Sequence, residues 1–530
     1  MAVPAAAFER GADRYRPPAV TGLTDLLDRH VRERPHAGAL IVTGERVRLS
    51  YRTLDALADE VAARLGGTRL RRGDAVGLVC ADTAEFVVAL LGAARAGLVA
   101  APVDPALPGP RLSARLEALG ARAALVGPPA SGAPAVARAG VPVWPLRVDV
   151  ARDGAATVAL DTGARPLPHA GGAAHELTDE DALVLFTAGT TDRARMVPLT
   201  HANVAESVRN ICAAYALGPA DATVAVMPFF HGHGLFAALV SSLAAGGCVL
   251  LPERGRFSAR TFWDDVRAAG ATWFTAVPTV HEILLDRSAD GFPVPQAPPM
   301  RFVRSCSAPL NAATQRALER TLGVPLLSAY GMTESTHQAT SEPLPQHGSL
   351  RQGTVGRPTG VDVRVVAPDG RTRRAGTEGE VWVRGPTVAR GYLGDPAETA
   401  RCFTDGWFRT GDLGLLDEDG CLTLTGRIKN LIVRGGEKIS PEYVEDVLAG
   451  CPGVVEAAVF AVPDARYGQR VGAAVVVREG ECLESAHILE YARGRLASFE
   501  VPERLHVVAT LPHTAKGALD RGAVAARYAG

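Results

Sequence analysis

Four stretches of this chain hold residue types at spacings that could do chemistry. From Phe186 to His201 it reads FTAGTTDRARMVPLTH, the end of an apolar strand, a Gly/Thr-rich turn and a helix expected to start near Thr200. Gly189 would let backbone N–H groups approach a phosphate, and the hydroxyls of Thr187, Thr190 and Thr191 would add donors. The same composition also occurs in turns that hold no ligand. SAYGMTEST strings an aromatic ring, a glycine, a hydroxyl and a carboxylate together at Tyr330, Gly331, Thr333 and Glu334. FRTGDLG sets Asp412 just after a Thr-Gly turn. A carboxylate accepts two hydroxyl bonds well, as a diol site requires, although Asp412 alone could equally be a surface charge. MPFFHGHG supplies His231 and His233, but no further ligands follow at the spacing a metal would need.

The elements that must position these residues come from a chain of 530 residues, more than one hydrophobic core usually supports. Hydrophobic residues make up 47% and charged residues 21%, a globular balance with ample material for a core. A net charge of -1 and 5% aromatics offer a nucleic acid neither a basic stripe nor a stacking platform, so nucleic-acid binding is set aside. The 8 cysteines contain no C-x-x-C pair and are expected to be buried thiols, which favours a cytoplasmic location. Charges near the N-terminus precede any apolar h-region, so no secretory signal is expected. Gly234 to Leu251 is uncharged, but its serines and Gly246-Gly247 make it a helix, a turn and a buried strand rather than a membrane span.

Apolar runs at 75–80, 182–186 and 222–227 alternate with helical stretches and predict a layered α/β fold. The Gly/Ala/Pro-rich zone from Pro128 to Leu177 is expected to be loops and irregular surface. Beyond about residue 360, short strands with tight turns predict a β-rich subdomain with a hairpin at Pro368-Asp369-Gly370. A separate α+β unit is expected to begin near Gly426.

These motifs together resemble the adenylate-forming superfamily of acyl-CoA synthetases, luciferases and peptide-synthetase adenylation domains. The resemblance runs from RLSYRTLDALADEVAARL nearly to the C-terminal end. It implies a large N-terminal domain (1–427) of layered α/β subdomains plus the β-rich subdomain, and a small mobile α+β C-terminal domain (428–530) hinged near Lys429. It also implies ATP and Mg2+. In relatives the aromatic corresponding to Tyr330 stacks on adenine beside Gly331 and Met332, Thr333 contacts the α-phosphate, and Glu334 helps hold Mg2+. A carboxylate with phosphate oxygens suits that hard cation. By the same resemblance Asp412 and Arg427 bind the ribose hydroxyls, and Ser307 and Ala308 line the nucleotide site. Gly435, Gly436 and Lys438 match the loop that lines the pantetheine tunnel in thioester-forming relatives, with CoA or a phosphopantetheine carrier protein as acceptor. Domain rotation lets one body host adenylation and then thioester formation.

The chain departs from the family pattern in two places. In the phosphate loop Ala188, Asp192, Ala194, Arg195 and Met196 differ. Arg195 keeps a cation, but a carboxylate about 5 Å from a phosphate would cost roughly 3 kcal/mol at an effective dielectric of 20. In LPHTAKGALDRG the catalytic lysine position is Ala518, and loss of such a contact typically costs ~10²-fold or more in rate. Lys516 lies two residues earlier, on the same face of an extended segment, roughly 6.6 Å away.

The wording of GRFSARTFW, ATWFTAVPTVHEILL and RFVRSCSAPL is most similar to oxalate-CoA ligases. A small dicarboxylate needs partners for its second carboxylate, and His231, His337 and Ser307 are candidate donors. The expected function is therefore an AMP-forming ligase for a small carboxylic acid, impaired or specialised. A degenerate nucleotide- or acyl-adenylate-binding homologue and an enzyme activating an oxyacid such as nitrite are the alternatives.

Overall fold

The apolar runs form strands Ala75–Val79, Asp181–Thr187 and Ala222–Val224 in the computed structural model. It describes residues 17–42, 44–128, 132–163, 167, 172–187, 194–287, 300–310, 312–345, 353–434, 437–464, 466–478, 480–481, 483–514 and 519–529. A seven-stranded sheet runs in the order Ala156–Leu160, Val143–Val150, Ala123–Val126, Ala75–Val79, Val99–Pro102, Asp181–Thr187, Arg195–Thr200. Its middle is parallel and each edge closes with an antiparallel pair. The helix Ala84–Arg95 is buried along nearly its whole surface, which explains its uniformly apolar sequence.

A second sheet, Trp273–Ala276, Phe302–Ser305, Leu326–Tyr330, Thr340–Ser341, Arg357–Pro358, carries parallel strands at the end where the site lies. A third unites Ala222–Val224 and Cys248–Leu250 with Gly38–Val42 and Val47–Ser50. The stretch before Cys248 is helical from His233 to Ala244, then turns at Gly246, as expected. Among the described residues no helix is long and apolar enough to cross a membrane. All seven described cysteines are buried and free.

Beyond residue 360 lies the β-rich sheet of Asp362–Val366, Gly379–Arg384, Trp407–Leu416 and Phe403–Thr404, with Leu422–Arg427 paired to the long third strand. That pairing ends at Arg427. A separate sheet then assembles Glu437–Ile439, Ile432–Arg434, Gly468–Val477, Val454–Asp464 and Arg504–Val508 around its own apolar cluster.

Three expectations are corrected. The zone between Pro128 and Leu177 is not irregular: it contains the helix Ala133–Arg138 and the antiparallel pair Val143–Val150 and Ala156–Leu160. Buried Trp144, Leu146, Val158 and Leu160 anchor that pair, so packing overrides its turn-rich composition. The helix starts beside Thr200 as expected, but a strand that the sequence reading did not expect precedes it. The chain first forms the strand Arg195–Thr200, antiparallel to Asp181–Thr187, and only then the helix His201–Tyr215. That helix is capped by Thr200, whose side chain accepts from Asn203 N–H, so its N-terminus is already satisfied. The turn at 367–370 forms, with Gly370 N–H donating to Ala367 O, but it returns only to a bridge between Val366 and Thr372. The true partner of Asp362–Val366 is Gly379–Arg384.

Candidate active site

The strands Trp273–Ala276, Phe302–Ser305 and Leu326–Tyr330 lie side by side, and the segments leaving their C-terminal ends carry several of the residues singled out above. Ligands of open α/β sheets bind at such ends. Gly331 follows the third strand, and a Cβ there would overlap the His337 carbonyl oxygen, so no larger residue fits. The chain then makes a single 3₁₀ turn, Thr333–Ser335, and passes through Thr336 at φ 50° and His337 at φ 81°. Non-glycine residues in the left-handed region cost about 1–3 kcal/mol each and gather at functional sites. The turn is tied down by Ser207 Oγ donating to Thr336 O and Thr336 Oγ1 donating to Thr387 O at 2.6 Å.

On the nucleotide side the structure brings Tyr330, Asp412 and Arg427 together. Tyr330 Oη donates to Asp412 Oδ2 at 2.6 Å, and Arg427 Nε lies 2.6 Å from Asp412 Oδ1. Asp412 and Arg427 face each other across paired strands. The expected Thr-Gly turn is instead an irregularity within Trp407–Leu416, with Gly411 at φ 70° and the register to Gly379–Arg384 shifted. Burial pushes the Asp412 carboxyl pKa up, with Arg427 and the Tyr330 hydroxyl opposing it. The Arg427 guanidinium pKa is raised, chiefly by Asp412.

Glu334 is buried and accepts from Tyr392 Oη at 2.7 Å. Burial raises its pKa, opposed by the Tyr392 bond and then by Arg195. Arg195 opens its strand, lies 5.0 Å over the Tyr392 ring and pairs with Glu398. Glu398, absent from the sequence reading, is shared between Arg195 and Arg401. No group of three or more His, Cys, Asp or Glu among the described residues could hold a metal. A single buried carboxylate whose hard oxygens are completed by phosphates fits Mg2+, which binds proteins through few side chains. Thr187 Oγ1 is buried at the edge of the phosphate loop with no partner among the described residues.

On the acid side, Ser307 is exposed, with φ 75°, next to exposed Ala308. His233, rather than His231, reaches it: His233 Nδ1 lies 3.1 Å from Ser307 Oγ and Nε2 lies 2.6 Å from Thr275 Oγ1. The His233 and His337 rings stack at 5.2 Å. His231 packs edge-on against Phe230. Burial pushes the pKa of both His233 and His337 well below the usual histidine value, and Arg304 lowers them further.

Several expected residues lie outside the described ones: Gly189, Thr190 and Thr191 with Ala188 and Asp192, Gly435 and Gly436, and Lys516 with Ala518. Lys438 is described by its backbone, which pairs with Val433. Lys429 sits in the 3₁₀ turn Ile428–Asn430, directly after Arg427. Sequence reasoning missed Tyr392, Glu398, Thr275, Gln338 and Arg304. Only Arg304 left a signal, a charge inside the apolar strand RFVRS.

The layered α/β body with its paired Tyr330, Asp412 and Arg427 is that of the adenylate-forming superfamily. The chain belongs to the AMP-binding enzyme family: that family's model matches residues 27–393, and the model of the AMP-binding enzyme C-terminal domain matches 443–518. It is 40% identical to an oxalate-CoA ligase of Arabidopsis thaliana over 96% of this chain and 98% of that protein. It is 39% identical to a sulfoacetate-CoA ligase of Cupriavidus necator over 65% of this chain and 66% of that protein. Among solved structures, ATP-bound MatB of Rhodopseudomonas palustris superposes with a TM-score of 0.83 at 30% identity, over 96% of this chain and 99% of that one. The likeness confirms the α/β class with a large N-terminal and a smaller C-terminal domain. It gives no support to the degenerate or nitrite-activating alternatives, since these relatives are named as CoA ligases.

Proposed function

We propose that this chain activates a small polar acid, oxalate or a near analogue, as its acyl-adenylate and passes the acyl group to the thiol of CoA. One observation carries this reading: the short segment Gly331–His337 holds the residues matched to adenylate binding at one end and a buried imidazole of the acid wall at the other. An acid seated there would place one carboxylate toward Thr333 and its distal group toward His337, His233 and Ser307. An apolar acyl chain would leave the His337 Nδ1 and the Ser307 hydroxyl proton without a partner from the acid, at about 1–3 kcal/mol each.

In the first step an oxygen of the acid attacks the α-phosphorus of ATP and pyrophosphate leaves, giving the mixed anhydride. Asp412 and Arg427 hold the ribose, Tyr330 covers adenine beside Gly331 and Met332, and Thr333 contacts the α-phosphate. Mg2+ at Glu334 would spread the charge of the departing phosphates. Thr187, Gly189, Thr190, Thr191 and Arg195 would cradle those phosphates, and Lys516 would take the place vacated at position 518. In the second step the thiolate attacks the acyl carbon and AMP departs. Rotation at Lys429 would bring Gly435, Gly436 and Lys438 to line the entry of the pantetheine arm.

ATP-pyrophosphate exchange and CoA-thioester formation with oxalate, malonate, acetate and a long-chain fatty acid test the assignment. Small diacids should exceed the fatty acid by at least about 100-fold in kcat/KM, and a fatty acid turned over faster would overturn it. Replacing CoA by a phosphopantetheinylated carrier protein decides the acceptor. Lys516→Ala should lower the exchange rate about tenfold.

A further inference from the structure

We propose that Arg304 is the specificity-determining positioning residue of the acid pocket: it holds His337 and His233 as Nδ1–H donors and supplies the charge that selects an acid with a second anionic group. The inference rests on the small-acid reading and adds to it the source of the selectivity.

Arg304 lies in the strand Phe302–Ser305 and is fully buried. Its hydrogen-bond acceptors are hydroxyls, an amide and an imidazole, and the Cys306 side chain lies beside it as well. Nε donates to Tyr215 Oη at 2.7 Å, Nη1 to Thr275 Oγ1 at 3.1 Å, and Nη2 to His337 Nε2 at 3.0 Å and Gln338 Oε1 at 3.1 Å. No carboxylate is paired with it among the described residues. The contrast with its neighbour is direct: Arg301, on the same stretch, forms a two-oxygen ion pair with Asp221. Burying an ion without a carboxylate to answer it is unfavourable, and a bound dianion would supply that charge.

The bonds also determine where the imidazole protons sit. Arginine only donates, so each atom facing Arg304 must offer a lone pair. His337 Nε2 is therefore unprotonated and its proton is on Nδ1, for which no described residue supplies a bond. Thr275 lies beside Arg304 in the strand register, accepts from it, and so turns its own hydroxyl proton toward His233 Nε2. That leaves the His233 proton on Nδ1, aimed at Ser307 Oγ, and frees the Ser307 hydroxyl proton to donate onward. One guanidinium thus orients three donors at the ends of neighbouring strands. Because burial and Arg304 both disfavour imidazolium, the positive charge of the pocket stays on the arginine.

The test compares wild type, Arg304→Gln and Arg304→Lys in ATP-pyrophosphate exchange with oxalate and with acetate. AMP affinity by calorimetry serves as the measure of an intact fold. Arg304→Gln should raise the KM for oxalate at least about tenfold while leaving the KM for acetate and the AMP affinity within about twofold, and Arg304→Lys should recover part of the loss. An equal rise in KM for both acids overturns the selectivity role. Histidine 15N NMR of the wild type, assigned through His337→Gln and His233→Gln, gives an answer even if the arginine variants do not fold. Nδ1–H forms of both rings support the positioning role, and an Nε2–H form of His337 overturns it. A wild type that prefers fatty acids to oxalate and malonate refutes the small-acid reading and the selectivity role together, and the tautomers then decide the positioning role alone.

Discussion

The two halves of the site handle buried charge in opposite ways. In the half matched to the nucleotide motifs, Asp412 is closed by Arg427 on one oxygen and Tyr330 on the other, and Glu334 rests on Tyr392 beside the Arg195–Glu398 pair. In the acid half, Arg304 is surrounded by hydroxyls, an amide, an imidazole and the Cys306 side chain, and among the described residues no carboxylate answers it. At the Asp412–Arg427 pair the charges cancel, so in the proposed reading a neutral diol exchanges there for a hydrogen bond at little electrostatic cost, whereas Glu334 rests on the Tyr392 hydroxyl and would take a cation. The acid half holds a surplus that favours an anion. A charged residue thus informs about its ligand mainly through what it lacks.

Breaking the balanced half should have the largest effect. Asp412→Ala removes the acceptor of Tyr330 and the counter-ion of Arg427, and kcat/KM for ATP should fall on the order of 10³-fold, as read by exchange kinetics and calorimetry with AMP. Glu334→Gln keeps a partner for Tyr392 but loses the charge. Exchange should slow by about 10²-fold, with a raised Mg2+ requirement, while AMP affinity without metal changes little. An unchanged Mg2+ requirement would remove Glu334 from the metal role.

Gly331→Ala strikes the junction of the halves. Its methyl would overlap the His337 carbonyl, so thermal or denaturant unfolding should show a loss of about 1–3 kcal/mol, and both the ATP and the acid KM should rise. The effect most remote from the chemistry concerns Asp82, which supports the loop entering the acid wall by accepting from Phe229 N–H at 2.8 Å. Burial pushes its carboxyl up to about 7. Folding then favours the protonated acid, so its contribution is complete below the ordinary carboxylate range and is lost as pH rises toward 7. Asp82→Asn keeps the acceptor oxygen and should flatten the stability profile between about pH 4 and 7 in denaturant titrations.

Most of the nucleotide half was legible because its residues sit in contiguous motifs. Tyr330 to Glu334, Asp412 and Arg427 each stand in a short run whose spacing survives folding. The acid half was legible only in part. Ser307 and His337 were named, but His233 was passed over for His231, since only the helical path from His233 onward decides which imidazole enters the wall. Tyr392, Glu398 and Arg304 belong to no motif. Their roles arise from contacts such as Arg304 to His337, made across 33 positions, and Glu334 to Tyr392, across 58. Compositional reading also failed for 133–160, where four buried side chains outweighed a loop-like sequence.

By itself the sequence determined the family, the α/β class, the order of the motifs and the chemistry of a phosphate-activated acid. Those depend on local runs: apolar periodicity, a glycine after an aromatic ring, a carboxylate beside a hydroxyl. Only the tertiary structure decided which charges are cancelled. Electrostatic partners are set by proximity and burial, and strand register, not chain distance, put Thr275 beside Arg304 and Arg427 beside Asp412 while leaving Arg304 without a carboxylate among the described residues.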